Sequence, residues 1–505
     1  MIVTQKKRIP WWWVFMMALP PLGNSFVEHC SGAPLTFSMK KFIDQPWLIM
    51  LLGSVNVAFN FMVAPFIAYQ SDRIWTRFGR RKPFIIFGWI GLVISLIFIP
   101  LAPNIWILAV VIVSYQFFED IAFTGPWAPL YNEVVPVPQR GRAAALNSLM
   151  GNFTTLYFNF ALIGHFDELR RISLDGGLFG WPGVTITGEQ LIYWLAAAMV
   201  TIMIVHVSLN VKETPVHSPI TGERFSLWVF FKSVFGDRQW LMIYVLIFAQ
   251  VAMHQGLGQL SPLLITEQFG YTKAQMGQLH GWVTILRIAI VIPLAGYFAD
   301  KIDRVKMFQV TLALATLHHI SYWAFIHFIV PCQIPAIKTI LDSWGLIAVK
   351  QVKEAVDAAG GAEAVATAAA SVPAIPTIMA FDVFGSFVNL TGSIALAPLL
   401  FDYVPRDRMG TVHAGMSFVR GMIKITVLNG VGLWISCYSW LVMPEGKYDY
   451  SSGFLYTTTL GSLGFVASIY FAKLRKAGKI IEYGRMELEV PNGKDEQKGR
   501  RRDVK

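Results

Sequence analysis

Seven ionisable residues other than histidine fall inside long apolar stretches of this 505-residue chain: Glu28, Glu119, Asp120, Arg287, Asp382, Arg420 and Lys424. A charge at the centre of a bilayer costs at least about 2.5 to 3.5 kcal/mol, so each needs a partner or a water-filled cavity. A carboxylate beside such a cavity takes up or releases a proton as a neighbouring Lys or Arg withdraws or approaches. Amide side chains and an aromatic face hydrogen-bond and stack on a polar ring. Together these residue types suit reversible binding of a small polar molecule, coupled to a moving proton.

Helical spacing sorts them into stripes. Gln116, Asp120, Thr124 and Trp127 follow i, i+4, i+8 and i+11 and share one face, whereas Glu119 falls with Tyr115 and Phe123. Asp120 is therefore the first candidate for proton coupling and Glu119 the second. An ion pair that merely joins two bundles is the bland alternative. Further stripes are Asp382, Ser386, Asn389 and Ser393; Ser148, Asn152, Thr155 and Asn159; His280, Thr284 and Arg287; and Asn56 with Asn60. Ser417, Arg420 and Lys424 lie on a late helix, and Asn24, Glu28, His254 and Gln259 add polar groups on two others. The expected substrate-binding set is Gln116, Trp127, Asn56, Asn152, Arg287, Asn389, Arg420 and Lys424. Trp127 is the stacking candidate, with packing an equal alternative. The adjacent His318 and His319 are predicted to be packing residues.

The elements that must hold these groups are membrane helices. The chain is 54% hydrophobic and 14% charged, against roughly 25% charged in a soluble domain. A soluble enzyme, a disordered chain and a disulfide-stapled secreted domain are all disfavoured. Cys30, Cys332 and Cys437 read as packing residues, with a Cys30 to Cys332 bridge as the lesser alternative. Runs of about 20 apolar residues, enough to cross the hydrocarbon, predict twelve spans: 10–30, 47–71, 84–102, 105–131, 144–163, 190–211, 240–260, 277–298, 307–330, 376–401, 412–440 and 454–471. Lys6, Lys7 and Arg8 before the first run resemble a secretory leader, but the run is long and no small-residue cleavage site follows. With both termini on one face, 30 of the 42 Lys and Arg residues lie there. The positive-inside rule then places both termini in the cytoplasm and the chain, multi-pass, in a cell membrane. The net charge of +11 thus encodes orientation, and no nucleic-acid partner is expected.

The two halves repeat. "APLTF" at 33–37 answers "SPLLI" at 261–265, "PFIAYQSD" at 65–72 answers "PLAGYFAD" at 293–300, and "APLYNEVVPVPQRG" at 128–141 answers "APLLFDYVPRDRMG" at 397–410. The expected fold class is an all-α polytopic membrane protein, with 12 transmembrane helices in two pseudo-symmetric six-helix bundles. The expected division is an N-terminal half 1–211, a cytoplasmic linker 212–239, a C-terminal half 240–472 and a basic tail 473–505 that touches anionic lipid. An Ala-rich insertion near 333–376 reads as two short amphipathic helices on the outer face, either a passive cap or a gate or docking element.

The loops "SDRIWTRFGRRKPF" and "ADKIDRVK" occupy matched places in the two halves. An acid followed by a basic run at this place resembles the signature loop of the major facilitator superfamily. That resemblance implies gating roles for Asp72, Arg73, Arg77, Gly79, Arg80 and Arg81, and for Asp300, Asp303 and Arg304; topology-setting charge is the simpler alternative. The longer first loop and "TGPWAPL" at 124–130 resemble the sucrose carriers and the glycoside-pentoside-hexuronide cation symporters. Melibiose-type members of that group bind sodium through acids where this chain has Asn60, Ala64 and Thr124, so the resemblance implies protons as the coupling ion. The expected function is proton-coupled symport of a sugar or glycoside by alternating access. The alternatives are an organic-anion carrier or exporter, and a non-transporting sensor or assembly factor. No metal-ligand spacing, phosphate loop or nucleophile elbow stands out, so neither an enzyme, a metal nor a cofactor is expected. The expected partners are the small-molecule substrate and membrane lipid, and the expected state is a monomer.

Overall fold

The computed structural model describes residues 10, 19–60, 62–63, 67, 76–79, 81–124, 127, 130, 135, 139–172, 184–211, 235–236, 238–254, 256–332, 334–351, 369–403, 409–444 and 446–480. Among them, eight helices are long and apolar enough to cross a bilayer unaided; they are spans 3, 4, 6 and 8 to 12. Spans 2 and 7 are shorter apolar helices, Pro46–Asn60 and Leu241–Val251. Among the described residues span 1 holds Leu19–Cys30 and Ala33–Lys40, and span 5 is built on Arg140–Tyr157. Helices are the expected solution, because in hydrocarbon every backbone polar group must pair within its own segment. Their starts are capped where the chain meets water. Thr187 with Gln190 and Thr272 with Gln275 form reciprocal capping boxes, and Asn104 and Asp303 accept from backbone N–H groups.

The pairing of helices repeats like the sequence. Span 3 packs on span 6 as span 9 packs on span 12, span 1 on span 5 as span 7 on span 11, and span 2 on span 11 as span 8 on span 5. Twelve spans return both chain ends to one face, here the terminal face; the opposite one is the far face. The halves share a single apolar core toward the far face, in which Phe37, Leu35 and Tyr193 join Leu260, Leu264, Leu428 and Phe454. Toward the terminal face the C-terminal half keeps a core of its own, with Ile243, Val305, Phe308, Tyr403 and Phe471.

The far face is sealed by contacts between halves. Gln259 Nε2 donates to the carbonyls of Ser31 (3.2 Å) and Gly53 (3.4 Å), and Thr36 Oγ1 donates to Gln259 O at 3.0 Å. Ser31 and Gln259 are repeat mates, so the interruptions in spans 1 and 7 meet each other. Asn429 donates to Ser54 (2.9 Å), Lys273 to Asp167 (2.6 Å), and Lys40 pairs with Glu267 at 3.3 Å. Span 5 and span 8 touch backbone to backbone, because Gly277 leaves room: a Cβ there would lie 2.3 Å from the carbonyl oxygen of Asn159.

Several expectations need correction. Span 1 does not stop at 30 but runs to Lys40, and span 7 resumes after 260 to end at Gln268; polar residues at the break interrupt the apolar run in each. Among the described residues the insertion holds the amphipathic helix Pro335–Ser343 and a hairpin of β3 (Ile347–Gln351) with β4 (Ala369–Pro373); residues 352–368, between the two strands, lie outside the described set. Strand-forming alternation in "IAVKQ" and "AASVP" is too short to outweigh the alanine-rich helical pattern by eye. A second hairpin, β1 (Leu169–Ile172) with β2 (Val184–Thr187), joins spans 5 and 6. Most of the linker, 212–234, and the tail from 481 lie outside the described residues. All three cysteines are free.

Asp303 shows what one loop acid does. It caps span 9 by accepting from Lys306 N (3.2 Å) and meets Arg475 at the end of span 12 at 3.4 Å. Burial alone pushes its carboxyl up, but the Lys306 N–H and the Arg475 charge outweigh this and hold it below the usual carboxylate range. A depressed pKa means stability that is present at neutral pH and lost as pH falls through the folded value. Asp303→Ala is expected to cost about 1 kcal/mol, read as a lower unfolding temperature at pH 7 and a smaller difference from wild type in strong acid.

Candidate functional site

Between the halves lies a cavity of about 920 Å³, beneath the far-face seal. Its N-half wall carries Glu28, Glu119 and Asp120; its C-half wall carries Arg287 and Lys424. The acidic side chains and the Lys and Arg side chains of the cavity are thus divided between the two bodies. Glu119 accepts from Asn56 Nδ2 at 3.0 Å and Glu28 from Asn24 Nδ2 at 2.7 Å, both partners belonging to the N half. Asp120, 1% exposed, lies within electrostatic reach of Lys424 across the divide. Gln116 Nε2 donates to Leu52 O at 3.2 Å, and its Oε1 is buried with no hydrogen-bond partner. His29 donates through Nδ1 to Ser25 O at 2.6 Å, and its ring lies against Phe158. Tyr115 donates to Val27 O at 2.7 Å, fixing span 4 against span 1 where span 1 is about to break.

Three π-turns carry cavity residues. Asp120 opens Asp120–Thr124 in span 4, Arg287 opens Arg287–Val291 in span 8, and Asn159 sits in Phe158–Leu162 of span 5. A π-turn adds a residue to the helical repeat and rotates everything beyond it. That is why the stripe read on span 4 fails after Asp120. Phe123, assigned to another face, lines the cavity; so does Glu119, which precedes the π-turn and adjoins Gln116 by ordinary i, i+3 spacing. Trp127, placed on the cavity stripe, packs its ring on Trp89 at 5.8 Å and joins the apolar core. The side chain of Thr124 lies outside the described set. Trp127→Leu is expected to remove an aromatic contact worth about 1 kcal/mol, seen as a lower unfolding temperature with unchanged substrate affinity.

Of the other candidates, Asn56, Gln116, Arg287 and Lys424 come together on the cavity wall. Asn152 does not reach it and donates back to Ser148 O of its own helix at 2.9 Å. Arg420, one turn from Lys424, is exposed. Asn389 lines a side pocket of about 340 Å³ with Asp382, Ser386, His318, His319 and Tyr322, and this pocket shares His280, Val283, Gly258 and Ser261 with the main cavity. The histidine pair therefore faces span 10 and span 12: His318 Nε2 meets Phe381 O at 3.2 Å and His319 stacks on Phe454. Packing they do, but at a polar pocket; two adjacent histidines in mid-span were the signal. His29 was missed, and nothing in the apolar pattern around it marks it.

Among the loop residues, Asp72, Arg73 and Arg80 lie outside the described residues, as does the side chain of Asp300. Gly79, at φ +117°, closes a turn with Thr76, and the Arg77 guanidinium lies over Phe78 at 4.8 Å. Arg81 is buried and Arg304 exposed. Lys82 Nζ donates to Ser208 O and Val211 O, capping the end of span 6 from the start of span 3, as Arg475 and Asp303 tie span 12 to span 9.

The sequence profile of the Major Facilitator Superfamily matches residues 12–426. The chain belongs to that superfamily. No curated protein matches this superfamily member in sequence. Its fold is that of solved transporters. It is similar to a POT family transporter in complex with 5-aminolevulinic acid, with a TM-score of 0.61, 12% identity, and coverage of 92% of this chain and 96% of that one. It resembles a bacterial homologue of the human lysosomal transporter Spinster, inward-facing and unoccupied, with a TM-score of 0.61, 12% identity, and coverage of 92% and 98%. It also resembles the nucleoside transporter NupG, with a TM-score of 0.59, 10% identity, and coverage of 90% and 99%. At these identities the likeness establishes the fold of this superfamily chain, a membrane protein of the major facilitator architecture.

Proposed function

We propose that this chain is a secondary active transporter, not an enzyme, which carries a sugar or glycoside together with protons by alternating access. The cavity between the halves, sealed toward one face and walled by acids on one body and cations on the other, carries this reading. Rocking of the halves changes the distance between Asp120 and Lys424 but leaves Glu119 with Asn56 on a single body. Asp120 is then the proton carrier, and Glu119 the acid that orders the wall beside it. Asn56, Gln116, Arg287 and Lys424 supply convergent donors and acceptors for hydroxyl groups. The halves 1–211 and 240–472 move as the two bodies, the Asp72 and Asp303 loops serve gating when the terminal face closes, and no cofactor or metal takes part. The distribution of basic residues supports a cytoplasmic terminal face in a cell membrane, so the face sealed by Gln259 and Ser31 is the outer one, and the chain works as a monomer.

A second reading is favoured by Arg287 and Lys424 in the cavity: a carrier of an organic anion. Purified protein in liposomes with an imposed pH gradient separates the two. Alkalinisation of the acidic side on adding a sugar or glycoside, and not on replacing the pH gradient with sodium, supports the first reading; alkalinisation only with carboxylic acids supports the second. No proton movement with either class overturns both.

A further inference from the structure

The insertion between spans 9 and 10 stands on the far face and carries an apolar surface unlike that of a solvated cap. Its helix, Pro335–Ser343, places Lys338, Thr339 and Asp342 on one side and Ile337, Ile340 and Leu341 on the other. Leu341 is buried against Val330 and Ile347, fixing the helix to the end of span 9. Ile334, Ile340 and Trp344 remain 56%, 51% and 74% exposed. Only a short turn separates the helix from Phe328, itself 63% exposed on the outside of span 9, so the apolar side continues the lipid-facing surface of the bundle. The level agrees as well. Trp106 at the start of span 4 and Trp440 at the end of span 11 lie at far-face helix ends and are 80% and 83% exposed. Tryptophans at such positions mark the boundary between hydrocarbon and headgroups, and Trp344 belongs to the same far-face set.

We propose that this helix lies in the plane of the far leaflet, with Ile334, Ile340 and Trp344 sunk among phospholipid headgroups and upper acyl chains. The polar side, with Lys338 and Asp342, faces water. A short amphipathic helix is held there by its buried apolar area. Because it is clamped through Leu341 to span 9 and through β4 to the start of span 10, it anchors the ends of those two spans at a fixed depth. Tyr271 at the start of span 8 donates to Pro373 O at 2.7 Å, so the anchor also reaches the far-face seam.

The test uses the full chain reconstituted in phosphatidylcholine and phosphatidylglycerol vesicles, with Cys30→Ala, Cys332→Ser and Cys437→Ser as background. An environment-sensitive fluorophore is attached in separate samples at Ile340→Cys, Trp344→Cys, Asp342→Cys and Thr339→Cys. The expected result is blue-shifted emission at 340 and 344, quenched several-fold more by lipid bearing a nitroxide near the headgroup than by one at the acyl terminus. Labels at 339 and 342 should respond to aqueous iodide and to neither lipid. Iodide quenching at all four positions overturns the proposal, since the helix then stands in water. Protection at 340 and 344 from both iodide and lipid nitroxides also overturns it, because protein then covers that side. Ile340 and Trp344 are independent positions, so a folding defect at one leaves the other to decide.

Discussion

Asp120→Asn is expected to abolish pH-driven accumulation of substrate while leaving exchange of substrate across the membrane intact. The amide keeps the size of the carboxylate and its capacity to accept a hydrogen bond but cannot carry the proton. One pH unit stores about 1.4 kcal/mol per proton, equivalent to a tenfold concentration ratio. The variant should therefore lose about tenfold of steady-state accumulation per imposed pH unit for each proton it no longer carries. Glu119→Gln should do less, because the acceptor for Asn56 survives and both partners ride on the same half. Radiotracer accumulation and counterflow in proteoliposomes distinguish the two. Undiminished accumulation by Asp120→Asn would remove the residue from the coupling mechanism, and loss of counterflow as well would make its role one of binding or folding.

Gly277→Leu is expected to shift the conformational balance by about 1 to 3 kcal/mol, the usual cost of overpacking. A Cβ at 277 meets Asn159 O at 2.3 Å and Ile163 Cγ2 at 2.4 Å. Both are main-chain or close-packed atoms that cannot turn aside, so span 5 and span 8 must separate at the far face. A shift of this size changes the ratio of the two states by about 5- to 150-fold. The readout is labelling of Ser31→Cys, on the cavity wall, in the cysteine-free background. An impermeant thiol reagent should reach it from the terminal face in the parent chain and from the far face in Gly277→Leu. Unchanged sidedness with normal unfolding temperature would show that this seam is not what seals the far face. Gly277→Ala, with only the Cβ to accommodate, should show the same direction at smaller amplitude.

Both expectations rest on residues of which sequence alone gave uneven warning. Membrane character, span number, the duplicated halves and the cavity acids were legible, because each follows from a rule with one variable. Hydrocarbon thickness fixes how many apolar residues make a span, and desolvation makes an intramembrane charge stand out whatever surrounds it. Asp120, Glu119, Arg287 and Lys424 were picked on that ground, and all four line the cavity. The same ground picks Arg420 and Asp382, which do not line it: Arg420 is exposed and Asp382 lies in the side pocket. Trp127 and Asn152 follow from extending a helical period, and that rule has a hidden variable. A single π-turn at Asp120–Thr124 rotates Trp127 onto Trp89. Such a turn is chosen by how neighbouring helices pack, as Gly88 and Gly91 of span 3 let span 4 approach, and no local spacing records it.

What the sequence by itself determined is the material and the plan: a membrane chain of twelve spans in two related halves, with a handful of charges confined to helices that can face one another. These are sums over local composition, and they survive any detail of packing. Only the tertiary structure decided which charges face which, because that depends on contacts between residues more than two hundred positions apart. Gln259 meeting its repeat mate Ser31 closes the far face, the acids of the main cavity settle on one body and its cations on the other, and a histidine pair read as mere packing opens onto a side pocket. The broken spans meet at the pseudo-twofold axis because two interrupted helices each leave carbonyls that a partner must satisfy. A lone helix cannot reveal that partner; the second half of the chain supplies it.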